Sequence, residues 1–233
     1  MKLLALEVST EACSVALLVG QQLRVRHEEI GRGHAERVLP LIDELLRDAA
    51  LELGRLDAIA FGRGPGGFTG VRLGASVAQG LAFGAGLPVV PVSTLRAVAQ
   101  SALELDPGAE VILVCNDARM QEVYWAAFER DRDGLAQPSS AERVGPPVAV
   151  DFEVPPGRRF VGAGRGFAIH PVLAERYGAA GEGGSLQTAL LPQATAIARL
   201  AAAEVLAGRV RPAREALPIY VRDDVVRPPS PRR

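Results

Sequence analysis

The succession of hydrophobic patterns predicts an α/β protein built from two mixed sheets covered by helices, the second part smaller than the first. Three observations carry this. Lys2 to Val8, Cys13 to Val19 and Gln22 to Ile30 read as strands joined by tight turns at Ser9 to Ala12 and Gly20-Gln21, which makes an antiparallel meander. Helices and strands alternate after Gly33, and crossover helices add parallel strands to a sheet. The second half then begins again with a strand, a turn and a strand.

The first helix runs from Gly33 to about Ala50, because Ala35, Val38, Leu39, Ile42, Leu45, Leu46 and Ala49 share one stripe at helical spacing. Pro40 falls in its second turn and can bend it. A strand at Asp57 to Phe61 leads into a glycine-rich loop, Gly62 to Gly70. A helix from Thr69 to about Phe83, a strand from Pro88 to Val92 and a helix from Ser93 to about Leu105 follow, ended by Pro107-Gly108. This β-β-β-α-β-α-β-α order is that of the ribonuclease-H-like half of actin-like proteins. Residues 1–105 are therefore expected as one domain and residues 106–226 as a second, reduced one.

The second half opens with strands at Glu110 to Cys115 and Glu122 to Glu129 around a turn at Asn116 to Met120. Gly134 to Pro156 is rich in Pro, Ser and Gly, with one strand candidate at Val148-Ala149-Val150. A strand at Arg159 to Val161, a helix from Phe167 to Tyr177, a mobile Gly178 to Gly184, a helix from Gln193 to Leu206 and a closing strand at Leu217 to Val221 complete it. Residues 227–233 read as a disordered, basic, proline-rich tail.

The 233 residues are 48% hydrophobic, enough for a real core, and 26 basic against 27 acidic side chains leave no global field to attract nucleic acid. A role near RNA then needs a local patch or a partner. Only four apolar residues separate Lys2 from Glu7, too few for a secretory segment, and no apolar run approaches the roughly 18 residues that span a bilayer. Cys13 and Cys115 lie in strand-like runs as buried, reduced thiols. A cytoplasmic protein without membrane contact is expected.

Gly62, Gly64 and Gly67 satisfy G-x-G-x-x-G between a strand and a helix, yet the dinucleotide reading lacks its acidic partner: no Asp or Glu follows the next strand until Glu104. A Gly-Lys-Ser/Thr is absent, which excludes a Walker loop. A glycine loop before a helix still makes an anion nest, so Ser9, Thr10, Gly64, Gly66, Gly67 and Thr69 are candidates for holding an anion or nucleotide. The equivalent second turn, Asp117 to Glu122, has no glycine. The three histidines, His27, His34 and His170, form no ligand pair, and no serine stands in a nucleophile elbow. No catalytic residue and no metal ligand is assigned.

Gly70, Gly74 and Ala78 recur at every fourth position of the second helix, with Gly80 and Gly84 beyond them. Glycine in a helix loses about 1 kcal/mol against alanine, so the stripe marks a close approach, either of the protein's own sheet or of another chain.

Six blocks carry a resemblance. L-A-L-E-V-S-T-E-A-C-S-V-A-L at Leu4 to Leu17, H-A-E-R-V-L-P-L at His34 to Leu41, G-P-G-G-F-T-G-V-R-L at Gly64 to Leu73, V-S-T-L at Val92 to Leu95, D-A-R-M-Q-E-V-Y-W at Asp117 to Trp125 and A-L-P-I-Y-V-R at Ala216 to Arg222 occur in this order. Together they resemble the bacterial TsaB (YeaZ) family over nearly the whole chain except residues 130–190 and the tail. The resemblance implies an actin-like, two-domain, non-catalytic subunit for making N6-threonylcarbamoyladenosine beside the anticodon of tRNAs that read codons beginning with adenine. It implies a catalytic paralogue, TsaD, as partner, with the ATPase TsaE, a homodimer in isolation, and tRNA reached only through the complex. A separate enzyme supplies threonylcarbamoyl-AMP. The paralogue's metal site includes His-x-x-x-His, which this chain lacks, and no cofactor of its own is expected beyond ATP or ADP at the complex interface. In the family the first two helices form the pairing surface, which maps here onto His34, Val38, Leu41, Leu45, Gly70, Leu73, Gly74, Val77, Ala78 and Leu81. Glu7 stands where many members carry Asp, which argues against metal or nucleotide at the first hairpin. A nucleotide-binding regulator and a glycoprotease-like metallopeptidase are the alternative readings.

Overall fold

The computed structural model describes residues 1–180 and 183–222. β1 (Lys2–Glu7), β2 (Ala12–Val19) and β3 (Gln22–Glu29) form the antiparallel meander, with Leu4 opposite Leu17 and Ala16 opposite Val25. α1 (His34–Asp48) crosses to β4 (Ala58–Gly62), α2 (Phe68–Ala85) to β5 (Val89–Val92), and α3 (Thr94–Leu105) leads out, its first turn capped by Ser93 Oγ accepting from Arg96 N–H. β4 lies parallel to β1 and β5 parallel to β4, giving the order β3-β2-β1-β4-β5.

The second sheet repeats this plan. β6 (Val111–Asp117), β7 (Val123–Arg130) and β8 (Ala136–Pro138) are an antiparallel meander, with β9 (Arg143–Gly145) on the other end of β7. After β10 (Phe160–Ala163), α4 (Gly166–Ile169) and α5 (Pro171–Tyr177), β11 (Ser185–Gln187) extends the sheet, and α6 (Ala194–Leu206) follows. β10 and β11 add in parallel, and the order is β11-β10-β6-β7-β8. The fold is actin-like α/β, two mixed sheets covered by helices.

The central strands β1 and β6 are buried on both faces, which explains why they read as unbroken apolar runs rather than alternating ones. Leu4 and Leu6 of β1 pack with Ile59, Phe61, Val38, Leu41 and Leu45 under α1 and α2. Leu3 and Ala5 point the other way, into Ala196, Ile197, Leu200 and Ala201 of α6. α3 covers Ile112, Val114 and Phe128 of the second sheet, while Phe160, Phe167 and Tyr177 close its far face. The helices α3 and α6 therefore lie between the two sheets. Among the described residues no helix is long and apolar enough to cross a membrane.

Three expected elements take another form, and Gly134 to Pro156, read as holding one strand candidate, instead holds β8 and β9. Val148 to Val150 is no strand: Pro146 and Pro147 remove two donors, and Pro147–Ala149 is a 3₁₀ turn. The single helix over Phe167 to Tyr177 is two, because Pro171 has no N–H and its ring forces His170 out of helical geometry (φ −117°, ψ 96°). Leu217 to Val221 joins no sheet. It crosses over the glycine loop, where Ile219 N–H donates to Arg63 O at 2.8 Å. Residues 181–182 of the segment read as mobile, and the tail at 227–233, lie outside the described residues.

Candidate functional site, a cleft between the sheets and an exposed helix face

The glycine loop packs on the turn between β1 and β2. Gly67 N–H donates to Ser9 O at 2.7 Å, a Cβ on Gly66 would lie 2.7 Å from Ser9 Cβ, and one on Gly70 would lie 2.2 Å from Val8 O. The close approach that these glycines allow is thus to the protein's own hairpin. Gly64 is buried under Ile219 O, away from any open surface. The hydroxyls picked out for an oxyanion also have internal duties. Ser9 is 3% exposed with Oγ 3.4 Å from Thr94 Oγ1, and Thr10 Oγ1 accepts from Ala12 N–H at 3.4 Å.

A cleft of about 800 Å³ opens between the two sheets. Ser9, Thr10 and Glu11 form one wall, Asn116 to Arg119 the other, and the N-termini of α1 and α2 its end, so Ser9, Thr10, His34, Gly66, Gly67, Thr69, Gly70 and Leu73 do meet here. Arg165, from a stretch without sequence signal, pairs across the gap with Glu11 and, at 2.9 Å, with Glu29. These pairs are about a third to a half exposed and contribute little more than about 1 kcal/mol. In the second turn Arg119, Met120 and Gln121 hold φ values of 61°, 53° and 62°, a left-handed run without glycine. Asp117 accepting from Arg119 N–H at 2.8 Å and Arg222 donating to Ala118 O while pairing with Glu122 hold it in place. Among the described residues no three His, Cys, Asp or Glu side chains gather in a metal-holding group. Both cysteines are free and buried, and burial pushes the Cys13 thiol up to about 11 and that of Cys115 higher still.

Glu7 stays out of the cleft. It is fully buried against Gly62, whose absent side chain leaves room for the carboxyl, and it accepts from Ser9 N–H at 2.6 Å and Thr94 Oγ1 at 3.3 Å. Burial raises its pKa in spite of these bonds. The folded state therefore holds this proton more tightly than the unfolded chain, and stability falls as pH rises above the ordinary carboxylate range. Glu7→Gln keeps the shape without the charge, so its unfolding free energy should decline less with rising pH than the wild type's. Urea titrations across pH check this, and parallel curves would show that Glu7 does not set the slope.

The structure divides the residues expected at a partner surface. Val38, Leu41, Leu45 and Ala78 are at most 1% exposed, and Gly74 sits 3.2 Å (from its would-be Cβ) from Val8 Cγ2, so these belong to the core beneath α1 and α2. Gly70 packs on Val8, while Leu73, Val77, Leu81 and His34 are half-buried at the edge. Among the residues that α1 and α2 turn outward are Leu39 (49% exposed), Ser76, Phe83 (80% exposed), and Gly80 and Gly84, where a Cβ would meet nothing within 4 Å. The stripe Ser76-Gly80-Gly84 also repeats every fourth residue, on the opposite side of α2. Because α2 is small and apolar on both sides, periodicity marks two stripes and only burial tells them apart.

Residues 25–151 match the family model of TsaD, tRNA N6-adenosine threonylcarbamoyltransferase. The tRNA threonylcarbamoyladenosine biosynthesis protein TsaB of Escherichia coli K12 is 38% identical over 226 residues, 97% of this chain and 96% of that protein. The chain belongs to the TsaB family. The TsaB of Haemophilus influenzae is 55% identical over 130 residues, a match that spans 56% of this chain and 55% of that protein. YeaZ from Pseudomonas aeruginosa superposes with a TM-score of 0.83 at 41% identity, covering 94% of this chain and 99% of that one. The TsaB fold thus extends through the segments that carried no recognisable motif, including residues 130–190.

Proposed function

We propose that this TsaB-family chain is a non-catalytic scaffold or activator in the synthesis of N6-threonylcarbamoyladenosine in tRNA, docking on a TsaD-like catalytic paralogue through the exposed face of α1 and α2. The names of the E. coli and H. influenzae relatives support the pathway. The observation that carries the docking is the open stripe Ser76-Gly80-Gly84 with the exposed Phe83 beside it on α2, which lets a second helix approach the backbone of α2 while covering a large apolar side chain. The same face pairs two copies when the paralogue is absent, since a self-complementary patch closes a two-fold dimer. Transfer of the threonylcarbamoyl group from threonylcarbamoyl-AMP then belongs to the partner. A TsaE-like ATPase joins the assembly, any ATP or ADP binds where the partner closes over the chain, and tRNA is reached through the complex. Reconstitution with purified TsaD-like and TsaE-like proteins, tRNA and threonylcarbamoyl-AMP tests this. Modification should require the chain, and full activity without it would overturn the proposal.

A further inference from the structure

The cleft between the sheets holds donors that the protein leaves unused. Asn116, at the end of β6, is 8% exposed and its Nδ2 has no acceptor. An unmade hydrogen bond at a buried group costs about 1–3 kcal/mol, so this amide calls for an acceptor from outside. Tyr124 stands opposite Asn116 in the β6–β7 register and shares its face, and both line the cleft. At the end of the same cleft is the N-terminus of α2, an 18-residue helix with no side-chain cap. The N–H groups of Phe68, Thr69 and Gly70 have no acceptor within the helix, and the dipole favours negative charge there.

The acidic residues around this space are accounted for. Glu11 is paired with Arg165 and Asp117 with Arg119. Glu36 folds back over the start of α1, its Oε2 3.7 Å from the would-be Cβ of Gly33, and answers that helix's own dipole. Arg32 lies exposed at the rim. Neither hairpin tip, Glu7 to Glu11 nor Asp117 to Glu122, has a glycine to let a chain of phosphates reach the backbone. One oxyanion at α2 needs only the N–H groups there.

We propose that this cleft binds a small metabolite bearing a single oxyanion, a carboxylate or a phosphate monoester. The oxyanion takes the free N–H groups of α2, Asn116 Nδ2 donates to the same molecule, and its remainder lies against Tyr124, Ile169 and Leu191. The volume falls within the roughly 300–1,000 Å³ usual for small-ligand sites. This goes beyond the scaffold reading and is tested apart from it, since neither partner nor tRNA is needed.

The test titrates the full ¹⁵N-labelled chain with inorganic phosphate, glycerol 3-phosphate, lactate and Mg-ATP, following the amides of Phe68 to Gly70 and the Asn116 side chain by NMR. Saturable shifts at both places are expected. Response to glycerol 3-phosphate but not lactate marks a phosphate ester, and the reverse marks a carboxylate. Thr69→Glu places a carboxylate at an exposed position in the first turn of α2, where it supports the helix, and should weaken binding about tenfold or more while leaving the melting temperature unchanged or higher. Asn116→Asp should weaken it likewise. Absence of saturable shifts with every probe, shifts indifferent to Thr69→Glu, or tighter binding of Mg-ATP than of the single oxyanions would each overturn the proposal.

Discussion

A Gly80→Arg variant is expected to fold normally and to lose its partner. Gly80 is exposed on α2 with open space where a side chain would go, so arginine fits, and replacing a mid-helix glycine gains up to about 1 kcal/mol of helix propensity. In a complex the same arginine stands where a second backbone must approach, and affinity for the TsaD-like paralogue should fall about 100-fold, or about 2.7 kcal/mol. Self-pairing should fall with it. Ala78→Arg, two residues earlier, should do the opposite. Ala78 is fully buried, and an unpaired guanidinium there costs several kcal/mol, a large part of the roughly 5–15 kcal/mol that holds a domain together. Circular dichroism melts and binding calorimetry on the two variants separate the effects. A folded Gly80→Arg protein that docks at wild-type affinity would remove this face as the interface.

Gly70→Ala should be strongly destabilising. The added Cβ would lie 2.2 Å from Val8 O and 3.0 Å from Ser9 Cα, both backbone atoms of a buried hairpin, so no flexible side chain can yield. Separating α2 from β1 to admit it should cost about 3 kcal/mol or more, at the high end of overpacking penalties. Gly84→Ala, with nothing within 4 Å, is the control and should stabilise by up to about 1 kcal/mol through helix propensity alone. Urea unfolding measures both. A Gly70→Ala protein within about 0.5 kcal/mol of wild type, the range of ordinary surface substitutions, would mean that the hairpin is free to shift.

The meander and the crossover units were legible because turns and apolar runs are local signals. The break before Pro171 was equally local, and an apolar pattern across Phe167 to Tyr177 obscured it. α2 shows a firmer limit: Gly70, Gly74 and Ala78 were visible as a stripe, but the choice between sheet and partner depends on where β1 lies, which no spacing in α2 encodes. The same holds for the cleft. Asn116 and Tyr124 lie in or beside a recognisable block, and Arg165 in none, yet their relation to Glu11 and to the start of α2 arises only when two sheets meet. Leu217 to Val221 has a strand's composition, but Pro218 lacks a donor and the segment binds a loop instead of a sheet edge.

The position of α6 bears on how the molecule is made. Its apolar side covers Leu3, Ala5 and Ala16, on β1 and β2, yet α6 itself starts only at Ala194, so a helix far along the chain closes this flank of the first sheet. Until α6 has been synthesised, that flank of the first sheet stays bare. The packing of these earlier-made strands is therefore completed only when a later-made helix docks on them.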